Sequence, residues 1–213
     1  PIGQVASGVF PYAQTLDSII NANNACVETV FYMTWGRENG DASNCTSWPP
    51  VCTYAGMDSL LNLRYRQMAI DNNALLSPVG QVWRYLRENH PEIDLYTGDG
   101  SHPSVAGSYT AAISFYTVMF RKDPATIPFN HTLNAEDAAT IKSAVQAVVY
   151  NNLLEWHVGE YDLSADFSFT LVDGLTYSFV SEASNALSQS WSMNGSTEAT
   201  TTYTFPSTGT YEV

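Results

Sequence analysis

Apolar positions in the first three quarters of the chain alternate between a helical spacing and short continuous runs. Residues 11–23 place apolar side chains at helical spacing after a proline, which predicts a helix. The β-branched and aromatic run over 27–35 predicts a buried strand, and a second, short strand is expected over 74–77. Helices that alternate with a few apolar strands predict an α/β fold with a parallel sheet.

Further helical patterns follow along the same part of the chain. They cover 57–72, 79–89, 102–120 and 134–150, and Asn134 is expected to cap the last of these helices. The visible strands are too few for a full sheet. We therefore expect the missing strands to lie upstream of Pro1 and interpret the sequence as a fragment or processed product.

The last fifty residues have a different pattern. Polar and apolar residues alternate with a period of two in several short runs that are separated by glycines, which predicts a β-sandwich. Residues 164–213 contain 19 Ser or Thr, five acidic residues and no Lys or Arg, whereas 1–163 contain all eight basic residues. This change in composition predicts a domain boundary between 163 and 164, and the resemblance described below for the tail implies that the second module is truncated at its end.

The charge of the chain excludes several function classes. Eight basic residues against 21 acidic ones give a net charge of −13. Binding to nucleic acids or to anionic membranes depends on clustered Lys and Arg, so neither is expected. No apolar stretch approaches the ~20 residues that span a bilayer.

The three cysteines are Cys26, Cys45 and Cys52. The last two flank a short polar loop that a disulfide could close, and the alternative is three reduced thiols. Ligand spacing for zinc is missing, so no metal site is expected. Cys26 has apolar neighbours and is expected to be a small buried residue.

The candidate chemistry lies in the segment from Asp99 to Ser104, which reads DGSHPS. An imidazole acts as a general base when one ring nitrogen is free and the other is oriented by a partner. Asp99, three residues before His102 across a glycine turn, can be that partner. The alternative is that His102 is an N-terminal helix residue and Asp99 a turn residue.

The residues around this pair resemble a known family. The stretch LYTGDGSHPS over 95–104, followed by AGSY, resembles the last conserved block of the SGNH (GDSL-type) hydrolases. VFYMTWGR over 30–37 and SPVG over 77–80 resemble further segments of that family. The resemblance covers about 10–122 and implies a flavodoxin-like three-layer α/β/α fold lacking its N-terminal part, with His102 as general base and Asp99 orienting it.

No convincing nucleophile block is found in the sequence. Ser59 follows an aspartate, as in the family motif, but it lies in a predicted helix, and Ser101 is too close to its own histidine along the chain. The resemblance therefore implies that the nucleophilic serine lies upstream, in an N-terminal segment of the same precursor.

The tail resembles a second family. Residues 190–195 and 203–213 are similar to the Trp strand and closing pattern of polycystic-kidney-disease-type (PKD) domains, which are immunoglobulin-like sandwiches of extracellular proteins. Met193 and Asn194 replace the usual acidic pair, which puts a calcium site in doubt. Secretion or a bacterial cell-surface location is implied.

Together these features predict a serine ester hydrolase. The expected substrate is an acetylated glycan or another small ester, and no cofactor is expected. The alternative is a non-catalytic, secreted surface or adhesion protein that retains the hydrolase fold.

Overall fold

The computed structural model describes residues 5–24, 27–162, 164–186, 188, 190–193, 196–198, 201–211 and 213. Two compact units are present, Pro1–Glu160 and Tyr161–Val213, and each is described by itself. The division falls a few residues before the boundary that the composition predicts. Cys26 and Asn194 lie outside the described residues.

The N-terminal unit consists mainly of helices around one small sheet, so the α/β class is confirmed. Its α-helices are α1 (Val5–Gly8), α2 (Phe10–Asn23), α3 (Ala42–Cys45), α4 (Tyr54–Asp71), α5 (Val79–Asn89), α6 (Val105–Phe120) and α7 (Ala135–Val148). Short 3-10 helices cover Pro49–Cys52, Pro124–Thr126 and Tyr150–Trp156.

The sheet of this unit pairs β1 (Val30–Tyr32) with β2 (Leu75–Ser77) in parallel. Val30 lies opposite Leu75, and Tyr32 lies opposite Ser77. The predicted strand over 27–35 is therefore too long, because only its centre pairs with a neighbour. All three residues of β2 are buried, as expected for a strand that is covered on both faces.

Side-chain caps fix where three of the helices begin. Thr53 accepts a hydrogen bond from the backbone N–H of Gly56 at the start of α4, and Asn134 accepts one from Asp137 at the start of α7, as predicted. Ser104 caps α6, so this helix begins at Val105. The prediction of a helix from 102 onwards is wrong at its start, because His102 belongs to the preceding loop.

The core of the unit lies around Trp83, whose side chain is fully buried. Leu76, Leu86, Ile141 and Val145 are buried in the same cluster. By contrast, α2 contains no buried residue, and its predicted apolar face remains accessible to solvent. The helical periodicity of that segment predicts its secondary structure correctly but not its burial.

The C-terminal unit is all-β in its described residues. Strands β3 (Phe167–Asp173), β4 (Thr176–Ser181) and β7 (Thr202–Thr204) form an antiparallel sheet in the order β3–β4–β7, and β5 (Trp191–Met193) pairs with β6 (Ser196–Glu198). Phe179, Met193 and Phe205 form its small buried cluster. Tyr211, expected in a closing strand, lies outside any strand.

Candidate functional site

A tight turn shapes the loop between α5 and α6. Tyr96 and Pro103 pair as an isolated antiparallel bridge, and the backbone N–H of Thr97 donates to the carbonyl oxygen of His102 at 2.8 Å. Between them Gly100 adopts φ +64°, a left-handed conformation that glycine accepts without strain. The chain therefore reverses direction within 97–102 and brings Asp99 back to His102.

Asp99 organises this turn through both carboxylate oxygens. Its Oδ1 accepts hydrogen bonds from the backbone N–H groups of Ser101 and His102 and from the hydroxyl of Thr97, each at 2.9 Å. Its Oδ2 lies 2.5 Å from Nδ1 of His102. The His102 side chain, followed by these backbone donors, holds the pKa of Asp99 well below its usual range.

This geometry assigns the roles of the two imidazole nitrogens. A carboxylate can only accept, so Nδ1 of His102 carries the proton that it donates to Asp99. In the neutral ring Nε2 is then the acceptor. The side chain of His102 is 79% exposed, and no described residue forms a hydrogen bond with Nε2. Nε2 is thus free to take a proton from an incoming group.

Three hydrogen bonds join the loop that follows β1 to the loop of the Asp99–His102 pair. The indole N–H of Trp35 donates to the carbonyl oxygen of Ser101 at 3.1 Å, and the backbone N–H of Glu38 donates to that of Gly100 at 2.8 Å. The hydroxyl of Tyr96 donates to the carbonyl oxygen of Gly36 at 2.6 Å. The pair therefore lies at the carboxyl end of the parallel strands, where open α/β sheets bind their ligands.

Stacked aromatic rings pack beside the two loops that these hydrogen bonds join. The indoles of Trp35 and Trp83 are parallel, with centroids 3.9 Å apart, and Tyr96 meets Trp83 edge to face at 4.8 Å. The backbone of α6 packs against this stack at Gly107, where a Cβ would lie 2.5 Å from Cζ2 of Trp83. The sequence analysis did not predict these roles, although Trp35 at the end of the predicted strand, followed by Gly36, was a signal for them.

A groove of about 520 Å³ lies beside the pair. Thr97 and Pro103, the neighbours of Asp99 and His102, belong to its wall, together with residues at the start of α6 and in the loop over 129–131. His102 itself does not line the groove.

Ser59, Arg37 and the two cysteines of the polar loop have local structural roles. The hydroxyl of Ser59 donates to the carbonyl oxygen of Ala55 one turn earlier in α4, and Arg37 pairs with Asp41 at 3.1 Å. Cys45 and Cys52 form a disulfide, as predicted.

Three further histidines also have nearby polar partners. His90 lies 3.3 Å from Glu92, His131 lies 2.9 Å from Thr132, and His157 contacts Glu160.

A buried carboxylate that the sequence did not reveal lies in α4. The side chain of Asp58 is 1% exposed and pairs with Arg84 at 3.1 Å. Burial raises the pKa of Asp58, and the nearby Arg84 guanidinium opposes this effect. Arg84 also contacts Glu88, so the pair lies at the junction of α4 and α5 and is a structural feature of this unit.

The described residues contain no group of His, Cys, Asp and Glu side chains arranged to hold a metal ion. None of the helices described is both long and apolar enough to cross a membrane.

Comparison with known proteins gives one structural likeness. The chain is similar in fold to the crystal structure of a DUF4886 family protein from Bacteroides uniformis, with a TM-score of 0.54 and 15% sequence identity. The match covers 69% of this chain and 57% of that protein, so this chain spans little more than half of its length. No protein-family model and no curated protein matches the sequence. At this identity the likeness concerns the fold alone.

Proposed function

We propose that the N-terminal unit belongs to a serine ester hydrolase of SGNH type, in which His102 is the general base and Asp99 orients it. The observation that supports this most is the hydrogen bond from Nδ1 of His102 to Asp99, which leaves Nε2 of an exposed side chain without a hydrogen-bond partner among the described residues. The position of the pair at the carboxyl end of a parallel sheet agrees with this role. The likeness to SGNH hydrolases in 95–104 supplies the reaction class.

The chemistry follows from the free nitrogen. Nε2 of His102 removes the proton of a serine hydroxyl while its oxygen attacks the ester carbonyl. The same proton then passes to the oxygen of the leaving alcohol, and an acyl-enzyme remains. Water then loses a proton to Nε2 of His102 and attacks the acyl-enzyme, and that proton passes to the serine oxygen as the bond to the acyl group breaks and the acid leaves. Throughout, Asp99 holds the ring and stabilises the imidazolium, which its strongly lowered pKa permits because the carboxylate stays ionised.

The nucleophile and the oxyanion-hole donors belong, in this proposal, to an N-terminal segment of the same precursor. No described hydroxyl or thiol reaches Nε2 of His102. In the described sheet β1 pairs on one side only, with β2, and Tyr32 in β1 is partly exposed. A further strand on the open side of β1 would extend the sheet towards a three-layer fold and place a serine at the same carboxyl end.

The C-terminal unit is proposed to be a PKD-like, immunoglobulin-like sandwich on a secreted or surface protein of bacterial origin. Its antiparallel strands and aromatic cluster agree with such a module. The disulfide between Cys45 and Cys52 agrees with an oxidising compartment.

A non-catalytic surface or adhesion protein is the second candidate. The observation in its favour is that Nε2 of His102 has no nucleophile among the described residues. In that case the pair would only stabilise the turn over 97–102.

An assay with 4-nitrophenyl acetate distinguishes the esterase from the non-catalytic protein. It uses the polypeptide that the whole gene encodes. Changing His102→Ala should reduce kcat/KM by about 1000-fold, and Asp99→Asn, which keeps an oxygen for the turn, by about 100-fold. His90→Ala is the matched control, because His90 is also an exposed histidine beside a carboxylate.

The outcomes are distinct. Turnover that persists in the His102→Ala variant contradicts the proposed base. A folded polypeptide without turnover on any short-chain aryl ester or acetylated glycan favours the adhesion protein.

A further inference from the structure

The groove beside the Asp99–His102 pair is lined mainly by apolar and aromatic side chains. Val105 and Ala112 from α6 and the ring of Tyr109 line it, and Phe129 from the following loop, 64% exposed, forms part of its edge. Its volume of about 520 Å³ lies within the range of small-molecule sites. The Tyr109 hydroxyl donates to the carbonyl oxygen of Phe129 at 2.7 Å and so ties the backbone of this loop to α6.

Two wall residues connect the groove directly to the pair. The hydroxyl of Thr97 donates to Oδ1 of Asp99 at 2.9 Å, and Pro103 follows His102 in the chain. A molecule in the groove therefore lies next to the reacting centre that the proposed function places at His102.

Most polar groups of the wall are already engaged within the protein. The Ser104 hydroxyl donates to the carbonyl oxygen of Asp94 and accepts from the N–H of Gly107. Among the side-chain atoms described for the groove, Oγ of Ser108 and Nε2 of His131 form no hydrogen bond with a described residue. A sugar ring carries many hydroxyl groups and would leave most of them without partners, whereas an alkyl chain needs none.

We propose that this groove binds the acyl chain of the ester, and that the chain is longer than acetyl. The inference rests on the proposed function and narrows its substrate class from acetylated glycans to esters with an apolar acyl group. Tyr109, Ala112 and Phe129 contact the chain, and Ser108 and His131 lie where polar substituents would be tolerated.

The test is a binding measurement that needs no turnover. The ¹⁵N-labelled 213-residue chain is titrated with hexanoate, the acid product of a longer acyl ester, and separately with acetate and methyl glucoside. An apolar ligand of this size should bind with a dissociation constant on the order of millimolar, within reach of amide chemical shifts. We expect saturable shifts with hexanoate at the start of α6 and around Phe129, and none with the other two ligands.

A pair of variants locates the binding. Ala112→Phe fills the groove and should weaken hexanoate binding at least about tenfold. Ala139→Phe, at an exposed alanine in α7 outside the groove, should leave it unchanged. Absent or scattered shifts, equal binding by Ala112→Phe, or preferential binding of methyl glucoside would each overturn the assignment.

The result is independent of the esterase assay. If hexanoate binds in the groove but the full-length gene product hydrolyses no ester, the proposed function is refuted and the binding site is retained. Turnover that depends on His102 but favours acetyl over hexanoyl esters, with no binding in the groove, would refute the acyl site alone.

Discussion

Gly107 is the position where the smallest change should disturb the site most. It lies in the first turn of α6, three residues after the cap Ser104, and faces the loop of the Asp99–His102 pair. A Cβ at this position would lie 2.3 Å from the carbonyl oxygen of Leu95 and 2.5 Å from Cζ2 of Trp83. An ordinary contact needs at least 3.4 Å, so the helix would have to move by about 1 Å.

The free-energy change follows from two opposing effects. Overpacking of this kind costs about 1–3 kcal/mol, and here the cost lies at the upper end, about 3 kcal/mol, because the clash is with the backbone of Leu95 and no flexible side chain can yield. Alanine regains up to about 1 kcal/mol of helix propensity. We therefore expect Gly107→Ala to lower the free energy of unfolding by about 2 kcal/mol and the Tm by about 4–8 °C.

Far-ultraviolet circular dichroism during urea and thermal unfolding is the assay, because the described α-helices all lie in the N-terminal unit. Gly98→Ala is the control: a Cβ at Gly98 meets no atom within 4 Å, so its effect should stay within about 0.5 kcal/mol. A Gly107→Ala protein as stable as the wild type would show that α6 does not press against the Trp83 stack.

Three further predictions concern stability. Replacing Cys45 and Cys52 by serine should cost about 2 kcal/mol, measured by urea unfolding, because the disulfide closes a short loop with a sequence separation of 7. Changing Arg84→Ala leaves Asp58 buried without its ion-pair partner and should lower the free energy of unfolding by about 2 kcal/mol at pH 7. Because burial raises the pKa of Asp58, the loss should be smaller in acid. A difference in urea midpoint between wild type and variant that is the same at pH 5 and pH 7 would contradict this. Because its pKa is lowered, Asp99 should stabilise the fold above about pH 4 and lose this effect only as the pH falls further, so the wild type should lose stability relative to Asp99→Asn in an acid titration.

Helices and their caps were the features that the sequence predicted best. Asn134 caps α7 because a side-chain oxygen before a periodic apolar pattern is a local signal that needs no tertiary contact. The start of α6 was misplaced, since proline is equally compatible with a first helical turn and with the bridge that Pro103 forms with Tyr96. Sequence alone does not distinguish these two conformations.

The site was predictable only in part for a similar reason. The spacing of Asp99 and His102 identifies the pair because both lie in one tight turn. The residues that hold this turn against the sheet, Trp35 and Glu38, come from about 60 residues earlier in the chain. Contacts at that separation depend on the tertiary fold, and so do the burial of Asp58 and the exposure of α2.

The three hydrogen bonds between the two loops of the site have a consequence for how this protein tolerates sequence drift. In each of them the acceptor is a main-chain carbonyl, at Gly36, Gly100 or Ser101. A carbonyl is present whatever residue occupies the position, so Ser101 can diverge freely while Trp35 and Tyr96, which supply side-chain donors, cannot. Among homologues, therefore, the residue beside the histidine should vary, whereas the two aromatic donors that lie far from it in sequence should persist.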